Sequence, residues 1–140
     1  MKRFFFVILV LSILSSVACS HKTGPYIDGV YKGKSQASYS DEPYVGYVII
    51  TIKNGWPNKA EFKIIDTAKN EVFNEGYKKY FEGNENYINQ CRNDLMGIQT
   101  YPAKLVNCQS IEKVDAVSGA TWSYNIFRDA TLKALKSAKR

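Results

Sequence analysis

The sequence predicts an α+β domain: an antiparallel β-sheet meander packed by a C-terminal amphipathic helix and by one or two short helices. Three observations carry that expectation. Val48, Ile50 and Ile52 alternate with Ile49, Thr51 and Lys53, the period-two pattern of a strand with one buried face. Asn54-Gly55 follows at once, and Ala60, Phe62 and Ile64 then alternate with Glu61 and Lys63, so a tight turn joins two antiparallel neighbours. Near the end of the chain Trp122, Ile126, Ala130 and Ala134 recur every four residues, flanked by Phe127 and Leu135, which is the apolar stripe of an amphipathic helix.

At 140 residues and 45% hydrophobic content the chain suits one small domain. Residues 1–18 read as an export signal, with Lys2 and Arg3 as a basic start and an apolar run over 4–14 that is shorter than a bilayer span. Ser16-Val17-Ala18 before Cys19 resembles a bacterial lipobox, which would make Cys19 the lipidated N-terminus of a membrane-anchored lipoprotein. Such a protein stands on the outer side of the cytoplasmic membrane, or in the periplasm or outer membrane. Ordinary cleavage after Ala18, leaving a free thiol at Cys19, is the alternative. Residues 19–27, with Gly24 and Pro25, are turn-rich and form a tether to a domain spanning 28–140.

His21 is the only histidine, and it lies in that tether, which argues against a histidine-based triad, a histidine base or a multi-histidine metal site in the domain. Loss of the signal removes Lys2 and Arg3 and no acid, leaving 17 basic against 13 acidic residues. This modest excess is compatible with an anionic membrane surface, with a cell-wall polymer or with solubility alone. No dense basic run and no nucleic-acid motif accompany it.

A first strand is expected over 30–37, bounded by Gly29 and by the polar run 38–43. From 67 to 93 the signal weakens, and the apolar residues are mostly aromatic: Phe73, Tyr77, Tyr80, Phe81 and Tyr87. A helical piece is expected at about 85–95. Thr100-Tyr101-Pro102 reads as the start of another short helix reaching Cys108, with Met96-Gly97 breaking the two apart. In an exported domain the pair Cys91 and Cys108 suggests a disulfide, and two reduced, buried thiols are the alternative. Lys133, Lys136, Lys139 and Arg140 fall in the last turns of the C-terminal helix, where positive charge complements the dipole.

The chemistry concentrates in Asp115-Ala116-Val117-Ser118-Gly119-Ala120-Thr121-Trp122-Ser123. Ser118 and Thr121 offer hydroxyls, Gly119 admits close approach of the backbone, and Ala120 adds little bulk. With a helix beginning at about Trp122, Thr121 takes the N-cap, where free N–H groups and the positive dipole end favour a phosphate. From the residues alone, a turn with a helix cap is the favoured reading of the stretch.

The whole string, Asp-x-x-Ser-Gly-Ala-Thr with Ser123 two positions later, resembles the attachment motif of the FMN-binding domain family. That family includes the G and C subunits of the Rnf and sodium-translocating NADH:quinone oxidoreductase complexes, and single-domain bacterial lipoproteins. Asp28-Gly29-Val30-Tyr31-Lys32-Gly33 resembles its opening strand, and residues 48–53 with Asn54-Gly55 its second strand and turn; Trp56-Pro57 departs from the pattern. The resemblance implies FMN joined by a phosphoester to Thr121 through a dedicated FMN transferase. Asp115 is then the motif's acid, Ser118, Gly119 and Ala120 its small turn, and Ser123 its trailing hydroxyl.

What the resemblance implies for function is a membrane-anchored, extracytoplasmic electron carrier, more a redox carrier than a stand-alone enzyme. It would take electrons from a membrane donor and pass them to an acceptor that the sequence does not name. Tyr44, Tyr47, Tyr77, Tyr101, Trp122 and Tyr124 are candidate walls for the flavin ring. Two other readings stand beside it: a lipoprotein binding FMN or another anionic ligand non-covalently, and a structural surface lipoprotein in which residues 118–123 only cap a helix. A hydrolase has less support, since the domain offers Ser118 and Thr121 no histidine base and no paired carboxylates.

Overall fold

The computed structural model describes residues 23–36 and 41–140. The expected export segment 1–18, Cys19, His21 and the first part of the expected tether lie outside the described residues, as does Ala37 at the end of the expected first strand. Four strands, β1 (Gly29–Lys34), β2 (Tyr44–Lys53), β3 (Trp56–Asp66) and β4 (Glu71–Val72), pair antiparallel in chain order. This is the expected meander, lengthened by β4. In β2 the alternation sorts the two faces: Val48, Ile50 and Ile52 are at most 1% exposed, whereas Ile49 is 38% exposed.

Asn54 and Gly55 close the β2–β3 hairpin with φ of 53° and 77°, the paired left-handed residues of a type I′ turn. The Asp28 carboxylate accepts from the amides of Asn54 at 3.0 Å and Gly55 at 2.8 Å, tying the approach to β1 onto this turn. The Gly55 and Asn54 bonds hold that carboxyl below its usual value. β3 starts at Trp56, ahead of the alternation that announces it. Pro57 has no N–H for the ladder, and it pairs with Ile52 where the register shifts between Thr51 and Ile52.

The helical half departs from expectation. Residues 85–108 form one continuous helix, α1 (Glu85–Cys108), with no break at Met96-Gly97. A Cβ on Gly97 would come within 2.7 Å of the Tyr101 ring and 2.9 Å of Ser123 Oγ, so this glycine serves close helix packing instead of chain reversal. Pro102 removes one backbone donor from the helix interior. Tyr101 and Leu105, fully buried on either side of it, hold the helix to the core.

The continuous helix also corrects the expected disulfide. Cys91 and Cys108 stand seventeen positions apart on α1, about 25 Å along its axis, far beyond the few ångströms that a disulfide tolerates. Both are free thiols, and burial pushes the pKa of Cys91 up.

α2 (Thr121–Ala138) packs across β1 and β2, α1 packs across β3, and the two helices touch, all on one face of the sheet. A 3-10 turn over Glu75–Phe81 fills the end beside α1. Ile126, Phe127, Ala130, Ala134 and Leu135 of the predicted stripe are buried, with the backbone of β1 so close that a Cβ on Gly33 would meet Ala130 O at 1.9 Å. Two apolar clusters result. One joins Val48, Ile50 and Ile52 to Tyr101, Leu105, Phe127 and Leu135. The other joins Ile64, Phe73 and Tyr77 to Cys91, Leu95 and Ile126. No helix among the described residues is long and apolar enough to cross a membrane.

Candidate functional site

The site begins where the loop after α1 turns into α2. Gly119 has φ of 75°, a left-handed backbone, and its missing Cβ leaves room for Asn93 Nδ2, which a Cβ would approach to 2.6 Å. Two side chains of α1 hold this turn. Tyr101 donates its hydroxyl to Ala120 O at 2.8 Å and accepts from the Val117 amide at 3.2 Å, while Gln90 Nε2 donates to Gly119 O at 2.8 Å. Farther along α1, Lys104 Nζ donates to Asp115 O at 3.1 Å.

Thr121 is the first helical residue of α2, one position inside its expected place as N-cap. Ala120 takes the cap and has no side chain with which to bond the first turn. That task falls to Asp94 of α1, which sequence reasoning did not single out. Its carboxylate is 3% exposed and accepts from Ser123 N at 3.1 Å, Ser123 Oγ at 2.8 Å and Gln90 Nε2 at 2.8 Å. A signal for it exists: position 94 falls on the same face of α1 as Cys91, Leu95 and Tyr101, where an acid needs a partner.

The motif residues therefore divide. Thr121, Ser118, Gly119 and Asp115 are exposed, and Ala120 and Ser123 are buried. Ser123 faces Asp94 in the interior, so its hydroxyl fastens α2 to α1 instead of reaching solvent. With the Ser123 amide taken by Asp94, the amides of Thr121 and Trp122 are first-turn donors without a partner among the described residues.

Beside this helix start lies a cleft of about 330 Å³ lined by Tyr44, Phe73, Phe81, Tyr87 and Trp122 together with Glu42, Gln90, Cys91 and Asp94. Trp122 stands between Tyr44, 5.1 Å away edge-on, and Phe73, 5.4 Å away, and its indole donates to Glu42 Oε2 at 3.1 Å. Phe81 and Tyr87 stack at 5.7 Å on another wall. Of the candidate ring walls, Tyr44 and Trp122 line this cleft. Tyr77 lies fully buried, bonded to the Tyr44 hydroxyl at 2.9 Å; Tyr101 supports the turn, and Tyr47 lines a different hollow on the sheet. Tyr124 packs against Tyr101. Phe73, Phe81 and Tyr87 complete the walls from the aromatic stretch that has no readable period.

No family profile matches this chain, and no curated protein does. Among solved structures, the chain is similar to the CPE2226 protein of Clostridium perfringens, at 23% identity and a TM-score of 0.55 over 81% of this chain and 88% of that one. A Clostridium thermocellum protein solved by NMR aligns at 21% identity with a TM-score of 0.48, over 81% of this chain and 92% of that one. The first of these is a likeness of fold.

Proposed function

We propose that the protein is an extracytoplasmic electron carrier holding FMN through a phosphoester on Thr121. The observation that carries this reading is the position of Thr121: an exposed hydroxyl on the first residue of α2, next to Trp122, which walls an aromatic cleft. The unpartnered amides of Thr121 and Trp122 lie where a phosphodiester's single negative charge would be stabilised. Tyr44, Phe73, Phe81, Tyr87 and Trp122 offer flat apolar surface to a ring system. When bound, the flavin supplies the redox chemistry, and the domain supplies attachment, orientation and a partly dry environment. Attachment outside the cytoplasm prevents loss of the cofactor by dilution. An FMN transferase is the maturation partner, a membrane donor and an acceptor are the electron partners, and a lipid on Cys19 is the anchor.

The test is the intact mass of the denatured protein after co-expression with an FMN transferase, beside Thr121→Ala. The expected result is a gain of one FMN less one water, absent in the variant. Ala120, not Thr121, is the N-cap, so the variant loses no cap and its stability stays within about 0.5 kcal/mol of the parent. No gain in mass, with the transferase active on a control substrate, refutes the reading. One observation favours a second reading, non-covalent binding of a flat aromatic ligand: Thr121 itself is not among the residues that line the cleft. Flavin that purifies with the native protein and departs on denaturation would select it.

A further inference from the structure

The face of the sheet turned away from the helices has a charge pattern that the cofactor reading does not use. Val48, Ile50, Ile52 and Ile64 point into the core, so alternation turns Lys32 and Lys34 of β1, Lys53 of β2, and Lys59, Glu61 and Lys63 of β3 outward. All six are exposed. Of the chain's 13 acidic residues, Glu61 is the only one that the strands present on this face. It pairs with Lys59 at 2.6 Å, and the other four lysines make no ion pair among the described residues. The register sets Lys34 and Lys63 on either side of Tyr47, and Lys32 and Glu61 on either side of Ile49.

We propose that this lysine face docks on an anionic phospholipid surface. Like charges gathered on one face repel one another, and an external negative surface relieves the repulsion. The chemistry of the face suits a headgroup plane better than a specific acidic side chain. Every cation on it is a lysine, a long stem with a hydrated point charge, and none is the planar fork of arginine that selects a fixed carboxylate. Val30, 62% exposed, and Ile49, 38% exposed, stand between the lysines as apolar contacts for the interface.

The chain outside the described residues points the same way. The described chain meets the sheet at its hairpin end, where Gly24 N donates to Asn54 O at 2.9 Å beside Lys53. A bilayer holding the lipid proposed on Cys19 is within a few residues' reach of the lysine face. The aromatic cleft lies at the other end of β2, on the helix side at Tyr44, and remains open to a partner. The inference does not depend on flavin.

The test is lysine acylation of the full chain bound to vesicles, read residue by residue by mass spectrometry. With vesicles containing phosphatidylglycerol, Lys32, Lys34, Lys53 and Lys63 should react about fivefold more slowly than with vesicles of phosphatidylcholine alone, as one lysine's attraction to an anionic surface implies. High salt should remove the difference, and Lys136 on α2 should show none. The exposed-site variant K32Q/K34Q/K63Q should lose the protection of Lys53. Equal rates on the two vesicle types overturn the proposal. So does protection conferred by an acidic polypeptide and not by phosphatidylglycerol, which would assign the face to a protein partner.

Discussion

Asp66 shows how one residue outside the motif holds the cleft in shape. Its carboxylate, fully buried at the end of β3, accepts from Tyr77 Oη at 2.5 Å, Lys69 Nζ at 2.8 Å and the amides of Ala68 and Lys69 at 2.9 and 3.1 Å. Tyr77 in turn bonds the hydroxyl of Tyr44, a wall of the cleft. Burial alone would raise the carboxyl's pKa, but the bonds from Lys69, Tyr77 and the two amides outweigh it and hold the value at about 2. Burial, then the bond to Asp66, pushes the Tyr77 phenol up, so it stays a donor. A carboxyl whose folded pKa lies below its ordinary value contributes stability that is complete above about pH 4 and is lost as the pH falls towards about 2. Asp66→Asn keeps the shape and removes the charge, and it should cost about 3 kcal/mol near neutral pH. Urea denaturation should show the gap between parent and variant closing between pH 4 and pH 2; a gap constant with pH would mean that Asp66 does not stabilise as a carboxylate.

At the scale of elements, what the sequence made legible was what local patterning encodes. The strand alternation around Val48, the Asn54-Gly55 turn and the stripe of α2 each lie within one short window, and each is present. α1 was not legible as one helix because Met96-Gly97 is read locally as a break and Pro102 as the start of a new helix, whereas their neighbours across the interface decide. The same reason hid half the site. Thr121, Gly119 and Ser118 stand together in sequence, but Asp94, Phe73, Phe81 and Tyr87 join them only when α1 and the 3-10 turn dock. Gly97 tests this account. In an exposed helix, glycine to alanine stabilises by about 1 kcal/mol. Here the new Cβ would push on the Tyr101 ring and on Ser123 Oγ, so Gly97→Ala should destabilise, by about 1–3 kcal/mol in urea. A more stable variant would mean that α1 and α2 have slack at this crossing.

The molecule as a whole has two apolar clusters, and both helices serve both: α1 gives Tyr101 and Leu105 to one and Cys91 and Leu95 to the other. Adjacent residues of α2 serve them, Ile126 in the cluster beside the cleft and Phe127 in the cluster under β2, and Phe62 packs against both, with its ring 5.0 Å from that of Phe127. Loss of either cluster should therefore loosen the helices that the other needs, making the domain one cooperative unit. Two tryptophans report the two ends: Trp122 at the cleft, and Trp56 at the β2–β3 hairpin. Phe127→Ala opens a cavity in a fully buried position and should cost about 3–5 kcal/mol. Placed in Trp56→Phe and Trp122→Phe backgrounds, it should lower the urea midpoint seen by the remaining tryptophan by the same amount in each, and far-UV circular dichroism should follow both. If the Trp56 transition moved while the Trp122 transition stayed, the clusters would unfold separately, and the cleft could open while the sheet remained intact.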